Sequence, residues 1–144
     1  MPQDSLSTEE KASIRQAIMA AEQNTSGEIR VHLENHCKDD PIGRALTVFE
    51  KLEMHRTDQR NGVLFYLALK DHQFAILGDE GINKVVPMDF WEDIKVKMQA
   101  DFREGKIAKG LAEGIRMAGE QLGAHFPYRS DDKNELSDDI SFGK

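Results

Sequence analysis

A chain of 144 residues that is 39% hydrophobic and 31% charged has the length and composition of one globular domain with a sizeable core. Its net charge of -7 argues against nucleic acid or an anionic membrane surface as a main partner, because phosphate binding draws on Lys and Arg; a cation is the more natural ligand. No apolar stretch approaches bilayer length, no leader pattern opens the sequence, and the lone Cys37 agrees with a reducing compartment, so the expected setting is the cytoplasm with no membrane partner.

Ser7-Thr8-Glu9-Glu10 has the form of a capping box, in which the Ser7 hydroxyl and the Glu10 carboxylate satisfy each other's backbone amides. The helix that follows carries an apolar stripe of Ile14, Ala17, Ile18 and Ala21 and stops at Asn24-Thr25-Ser26-Gly27. From Glu28 the period changes to two. Ile29, Val31 and Leu33 alternate with Arg30, His32 and Glu34, which predicts a strand near an edge of the sheet. Asp40 then caps a second helix with Pro41 at its first position, and the expected buried stripe is Ile42, Ala45, Leu46, Phe49 and Leu52.

Val63 to Leu69 is a continuous apolar run of strand length, which predicts a central strand with Phe65 and Leu67 in the core. Lys70-Asp71-His72 interrupts it for one turn before Gln73 to Leu77 resumes, the pattern of a hairpin. Strand, helix, strand is a right-handed crossover, so the first two strands should be parallel. The hairpin leaves through Gly78-Asp79-Glu80-Gly81, an acidic loop bracketed by glycines. Asp89 and Glu92 suggest another capping box before a helix bearing Phe90, Trp91, Ile94 and Met98, which Gly105 ends. A last helix begins near Lys106 with Ile107, Leu111, Ile115, Ala118 and Leu122 as its stripe, and Gly110 and Gly114 should allow close approach to the sheet. Pro127 blocks its continuation. Residues 1–127 are thus expected to form a single domain, and 128–144 a flexible acidic tail that can be removed without loss of stability.

Four stretches together carry a family resemblance: Ser26-Gly27-Glu28-Ile29-Arg30-Val31, Asn61-Gly62-Val63-Leu64, Gly81-Ile82, and Phe102-Arg103-Glu104-Gly105 followed by Gly110-Leu111. In their order and spacing, from about Ser7 to Phe126, the chain resembles the TPM domain family, which includes thylakoid acid-phosphatase-like proteins. The resemblance implies a three-layer α/β/α sandwich around a small mixed sheet, and a domain that is calcium binding or phosphatase-like. Asn83 stands where the family often carries an acid.

With the first two strands parallel and the hairpin antiparallel, Glu28, Asn61, Asp79 and Glu80 should converge on one rim of the sheet. Carboxylate and amide oxygens suit calcium or magnesium, although no EF-hand spacing is present. At the opposite rim, His32, His36, Cys37 and His72 match no standard zinc spacing. His36-Cys37 before Arg44 resembles the cysteine phosphatase loop, but the spacing is one residue too long, and Asp39, Asp40 and Pro41 would repel phosphate and remove an amide. Any hydrolysis would therefore be metal assisted, with no base assigned, and the chain reads as a binding domain rather than an enzyme. Two classes of function stay open: a domain binding a divalent cation at the Glu28, Asn61, Asp79, Glu80 rim, and a non-catalytic module that engages a protein partner without metal.

Overall fold

The computed structural model describes residues 6–38, 40–128 and 138–143. In chain order the elements are α1 (Thr8–Glu22), β1 (Glu28–Glu34), α2 (Pro41–Lys51), β2 (Gly62–Ala68), β3 (Gln73–Gly78), the single turn α3 (Glu80–Asn83), α4 (Glu92–Arg103), α5 (Ile107–Gly123) and the short β4 (Ser141–Phe142). The strands form one mixed sheet in the order β3-β2-β1-β4. As the crossover requires, β1 runs parallel to β2, with Glu28 opposite Gly62 and Val31 opposite Phe65, while β2 and β3 pair antiparallel.

Side chains on the two faces of this sheet build two separate cores. On one face Ile29, Val31, Leu33, Val63, Phe65 and Leu67 pack against α1, α4 and α5. On the other, Leu64, Tyr66 and Ala68 meet Ala45, Val48 and Phe49 of α2. The result is the α/β/α sandwich, with β2 buried along its whole length. No helix among the described residues is long and apolar enough to cross a membrane.

Local signals explain most of the element boundaries. The Ser7 hydroxyl accepts from the Glu10 amide at 3.0 Å and the Glu10 carboxylate from the Ser7 amide at 2.9 Å, completing the first capping box. Asp40 caps α2 by accepting from the Gly43 amide at 2.9 Å, with Pro41 just inside the helix. The second expected capping box does not form. Trp91 holds the N-cap position of α4 without a side-chain cap, and the Glu92 amide bonds the Asp89 carbonyl in a backbone turn instead. Burying the indole of Trp91, set edge-on to Phe90, decides where that helix starts.

The packing of α2 and α5 also departs from the expected stripes. Ile42 and Leu46 are 56% and 53% exposed, because the helix leans on the sheet through Ala45, Val48 and Phe49. Gly110 and Gly114 approach α4 rather than the sheet: a Cβ at either would lie 2.7 Å from the Phe102 ring or 2.5 Å from the Met98 sulfur. Their cost in helix propensity is offset by tight helix-on-helix contact.

The C-terminal stretch, expected as a flexible tail, docks where it is described. Residues 129–137 lie outside the described residues, but beyond them Ile140 is buried in the larger core and Ser141 and Phe142 pair in parallel with His32 and Leu33. This covers what would otherwise be an open edge of β1, a physical gain that composition conceals because only two apolar side chains carry it. Truncation before residue 138 is expected to reduce stability by about 2 kcal/mol, the scale of losing one buried Ile. Urea unfolding measures it, and an unchanged midpoint would show that the docking contributes nothing.

Candidate functional site

The N-terminal ends of β1 and β2 and the exit of β3 meet at one rim. The Glu28 amide donates to the Asn61 carbonyl at 3.2 Å, and the Asp79 amide to the Gly62 carbonyl at 2.9 Å. Glu28, Asn61 and Asp79 are all buried, whereas Glu80 is exposed. The rim thus gathers the four backbone positions expected from the sequence, but their side chains turn to different partners.

Asp79 and Glu80 are gripped by Arg60. Its Nε and Nη2 donate to the two carboxylate oxygens of Asp79 at 2.8 and 3.0 Å, and its Nη1 reaches Glu80 Oε1 at 3.1 Å. Asp79 also caps α3 by accepting from the Glu80 amide at 2.7 Å. Such a bidentate guanidinium pair is among the strong, geometrically specific contacts of proteins. Gly81 permits this arrangement, since a Cβ there would stand 2.0 Å from the Gln59 carbonyl oxygen and 2.6 Å from that of Arg60. Asp79 therefore has a structural task, and a cation would have to compete with Arg60 for it.

Glu28 belongs to a second grouping that also draws in Glu22, from the last turn of α1, and Asp138, from the segment leading into β4. Burial pushes the Glu22 carboxyl up to about 11, and hydrogen bonds shared with Asp138 and then Glu28 reinforce the shift, while the Ile29 amide, donating to Glu22 Oε2 at 2.9 Å, opposes it. Clustering with two other acids thus favours a proton retained within the group. Asn61 anchors the floor nearby: its amide donates to Thr57 Oγ1 at 3.0 Å and its Nδ2 to the Ser26 carbonyl at 3.2 Å. Asn61 Oδ1 and Asp138 Oδ1 are buried without hydrogen-bond partners among the described residues. Unpaired buried oxygens are costly and call for an explanation.

Among the described residues no group of three or more His, Cys, Asp or Glu side chains stands ready to hold a metal ion. The acids of the rim are closed on one another or on Arg60. The opposite rim is no better disposed for zinc: His36 Nδ1 lies 2.9 Å from Asp71 Oδ1, and His32 is bound between Ser141 and Glu34. Sequence reasoning missed Glu22, Arg60 and Asp138. Glu22 did leave a signal, since it stands four residues after Ile18, where the apolar stripe of α1 continues and an acid is out of place. Asp138 left none, because its segment reads as tail.

A three-layer α/β/α sandwich is the architecture implied by the resemblance, and the family profile described as TPM domain matches residues 2–121. The chain belongs to the TPM domain family. It is similar to the BA42 protein of the psychrophilic bacterium Bizionia argentinensis, at 47% identity over 96% of this chain and 95% of that one, with a TM-score of 0.91. The same fold occurs in the N-terminal domain of a P. gingivalis protein, at 19% identity over 85% of this chain and 80% of that one and a TM-score of 0.68. It occurs again in the N-terminal domain of the cg2496 protein of Corynebacterium glutamicum, at 14% identity over 98% of this chain and 82% of that one and a TM-score of 0.63. No curated protein matches the chain.

Proposed function

We propose that this TPM domain binds a divalent cation, calcium or magnesium, at the part of the rim where Glu28 and Asn61 meet Glu22 and Asp138. The observation that carries the reading is the gathering of three acids, the half-buried Glu22 hydrogen-bonded to both Asp138 and Glu28, with burial and those bonds pushing the Glu22 carboxyl up. The buried, unpartnered oxygens of Asn61 and Asp138 add to it. The donor set is all oxygen, which suits hard cations and not zinc or copper. A cation entering there would displace the shared proton and leave Asp79 and Glu80 with Arg60 as a flanking charge cluster. Phosphatase chemistry, if added to binding, would rest on the bound ion polarising a phosphoryl group.

The linkage has a definite sign. A carboxyl whose folded-state value lies at about 11, against 4.5 for the free side chain, costs stability progressively as pH rises above 4.5, because the unfolded chain releases the proton and the folded chain retains it. Glu22→Gln, which mimics the protonated form, is therefore expected to stabilise the metal-free protein more at pH 8 than at pH 5. Calcium or magnesium at a hundredfold excess over Kd should stabilise the unmodified protein by about 2.7 kcal/mol, and Glu22→Gln or Glu28→Gln should remove most of that gain. Asp79→Asn should leave it largely in place. Scanning calorimetry with each ion and with chelator decides the matter: identical melting temperatures in all three would sink the cation reading.

The interaction-module alternative draws on a different observation. Leu46 and Phe49 of α2, with Leu77, Asp79 and Glu80, line an open cavity of about 620 Å³, and Ile42 is exposed on the same helix. An exposed apolar helix face beside this cavity suits a partner protein carrying apolar side chains.

A further inference from the structure

At the far end of the sheet from the acidic rim, the β2–β3 hairpin and the α4–α5 junction enclose a cavity of about 200 Å³. We propose that it is a binding site for a small monocarboxylate with an apolar body the size of a phenyl ring, whose carboxylate is held by Arg103. This inference stands independently of the cation reading.

The walls are apolar, formed by Leu67, Phe74, Phe102 and Ile107. An apolar cavity of roughly 150 Å³ takes up benzene, so this one admits a six-membered ring and little more. The walls are also preformed. Phe74 and Phe102 meet edge to face with centroids 5.2 Å apart, and Gly110 seats the Phe102 ring from behind, where a Cβ would lie 2.7 Å from it. A rigid pocket of this kind costs little to organise on binding.

The mouth sets the chemistry of the ligand. Its polar groups are His72, Gln99 and Arg103, and among the described residues no carboxylate lines the cavity. In a protein of net charge -7 that is an exception requiring an account. The basic side chains that flank it in sequence, Lys97 and Lys106, are paired with Asp101 and Glu104 at 3.5 and 3.2 Å. Arg103 has no ion pair among the described residues and stays exposed at the last turn of α4. A guanidinium presents two parallel donors that match a carboxylate, and the Gln99 amide offers another beside it. The helix end explains a basic residue at this position in general, but not an apolar ring-sized cavity opening beside it.

Phenylacetate is the probe, titrated into the isotopically labelled full chain while amide shifts are followed, with neutral phenylacetamide as the comparison. Saturable shifts are expected around Leu69, Phe74, Phe102 and Ile107, with phenylacetamide binding about tenfold more weakly, the scale of one charge-assisted hydrogen bond. Arg103→Gln should weaken phenylacetate about tenfold and leave phenylacetamide unchanged, with the variant's own spectrum reporting that it is folded. Arg103→Lys, which keeps the charge and loses the fork, should fall between the two. Absence of saturable shifts, shifts centred elsewhere, or equal affinity for acid and amide would each overturn the assignment.

Discussion

Glu34→Ala should destabilise the fold by about 3–5 kcal/mol, the loss expected when one partner of a buried ion pair is removed and the others are stranded. Glu34 is 2% exposed and accepts four hydrogen bonds or ion contacts: from Arg44 Nε at 2.7 Å and Nη2 at 2.8 Å, from the Tyr66 hydroxyl at 2.5 Å and from His32 Nε2 at 3.0 Å. Burial would raise its carboxyl, but the donors from Arg44, Tyr66 and His32 outweigh that and hold it down to about 2. Burial also raises the Tyr66 hydroxyl, and its bond to Glu34 adds to the effect, so the phenol stays a donor at any ordinary pH. With the folded value near 2 against 4.5 for the free side chain, the stabilisation is fully present above pH 4.5 and fades as pH falls toward 2. Urea melts at pH 7 and pH 3 test both parts. The stability difference between the wild-type chain and Glu34→Gln should shrink from pH 7 to pH 3, since both share every other titrating group, and a difference independent of pH would contradict the network.

Phe65→Ala is the second large effect, at about 3–5 kcal/mol, which for a domain of this size lowers Tm by roughly 10–20 °C. Phe65 is wholly buried in the central strand, opposite Val31 on one side and Ile76 on the other, within the core under α1, α4 and α5. Its neighbours come from several elements, so no single one can move in to fill the void. A midpoint shift of less than about 1 kcal/mol would mean that the site collapses freely, against the packing described.

The metal question turns on which acids can be freed. Asp79 and Glu80 are the carboxylates a reader of the sequence finds first, since they stand between glycines at a strand exit. Arg60 occupies them because it takes a left-handed backbone conformation, φ 51°, directly before Asn61 and so points across the rim. Nothing in the run Thr57 to Arg60 announces that pairing. Glu28 was legible as a rim residue from the change of period, yet its acidic neighbours come from the end of α1 and from beyond residue 137, positions that the alternation of a strand cannot reveal.

The order and type of the long elements and the parallel pairing of β1 with β2 are legible in the chain without its fold. Capping boxes, proline at a helix start and apolar periodicity are local interactions, expressed within a few residues of where they are written. The C-terminal strand, the start of α4, the exposed face of α2 and the grouping of Glu22 with Glu28 and Asp138 were decided by the tertiary structure alone. In each the deciding term is contact between residues far apart in the chain. Ile140 reaches the core under α1, the Trp91 indole is buried in the same core, and the carboxyls of Glu22 and Asp138 meet across more than a hundred residues. Energies of that kind depend on which surfaces meet after folding, and no local pattern in the chain encodes them.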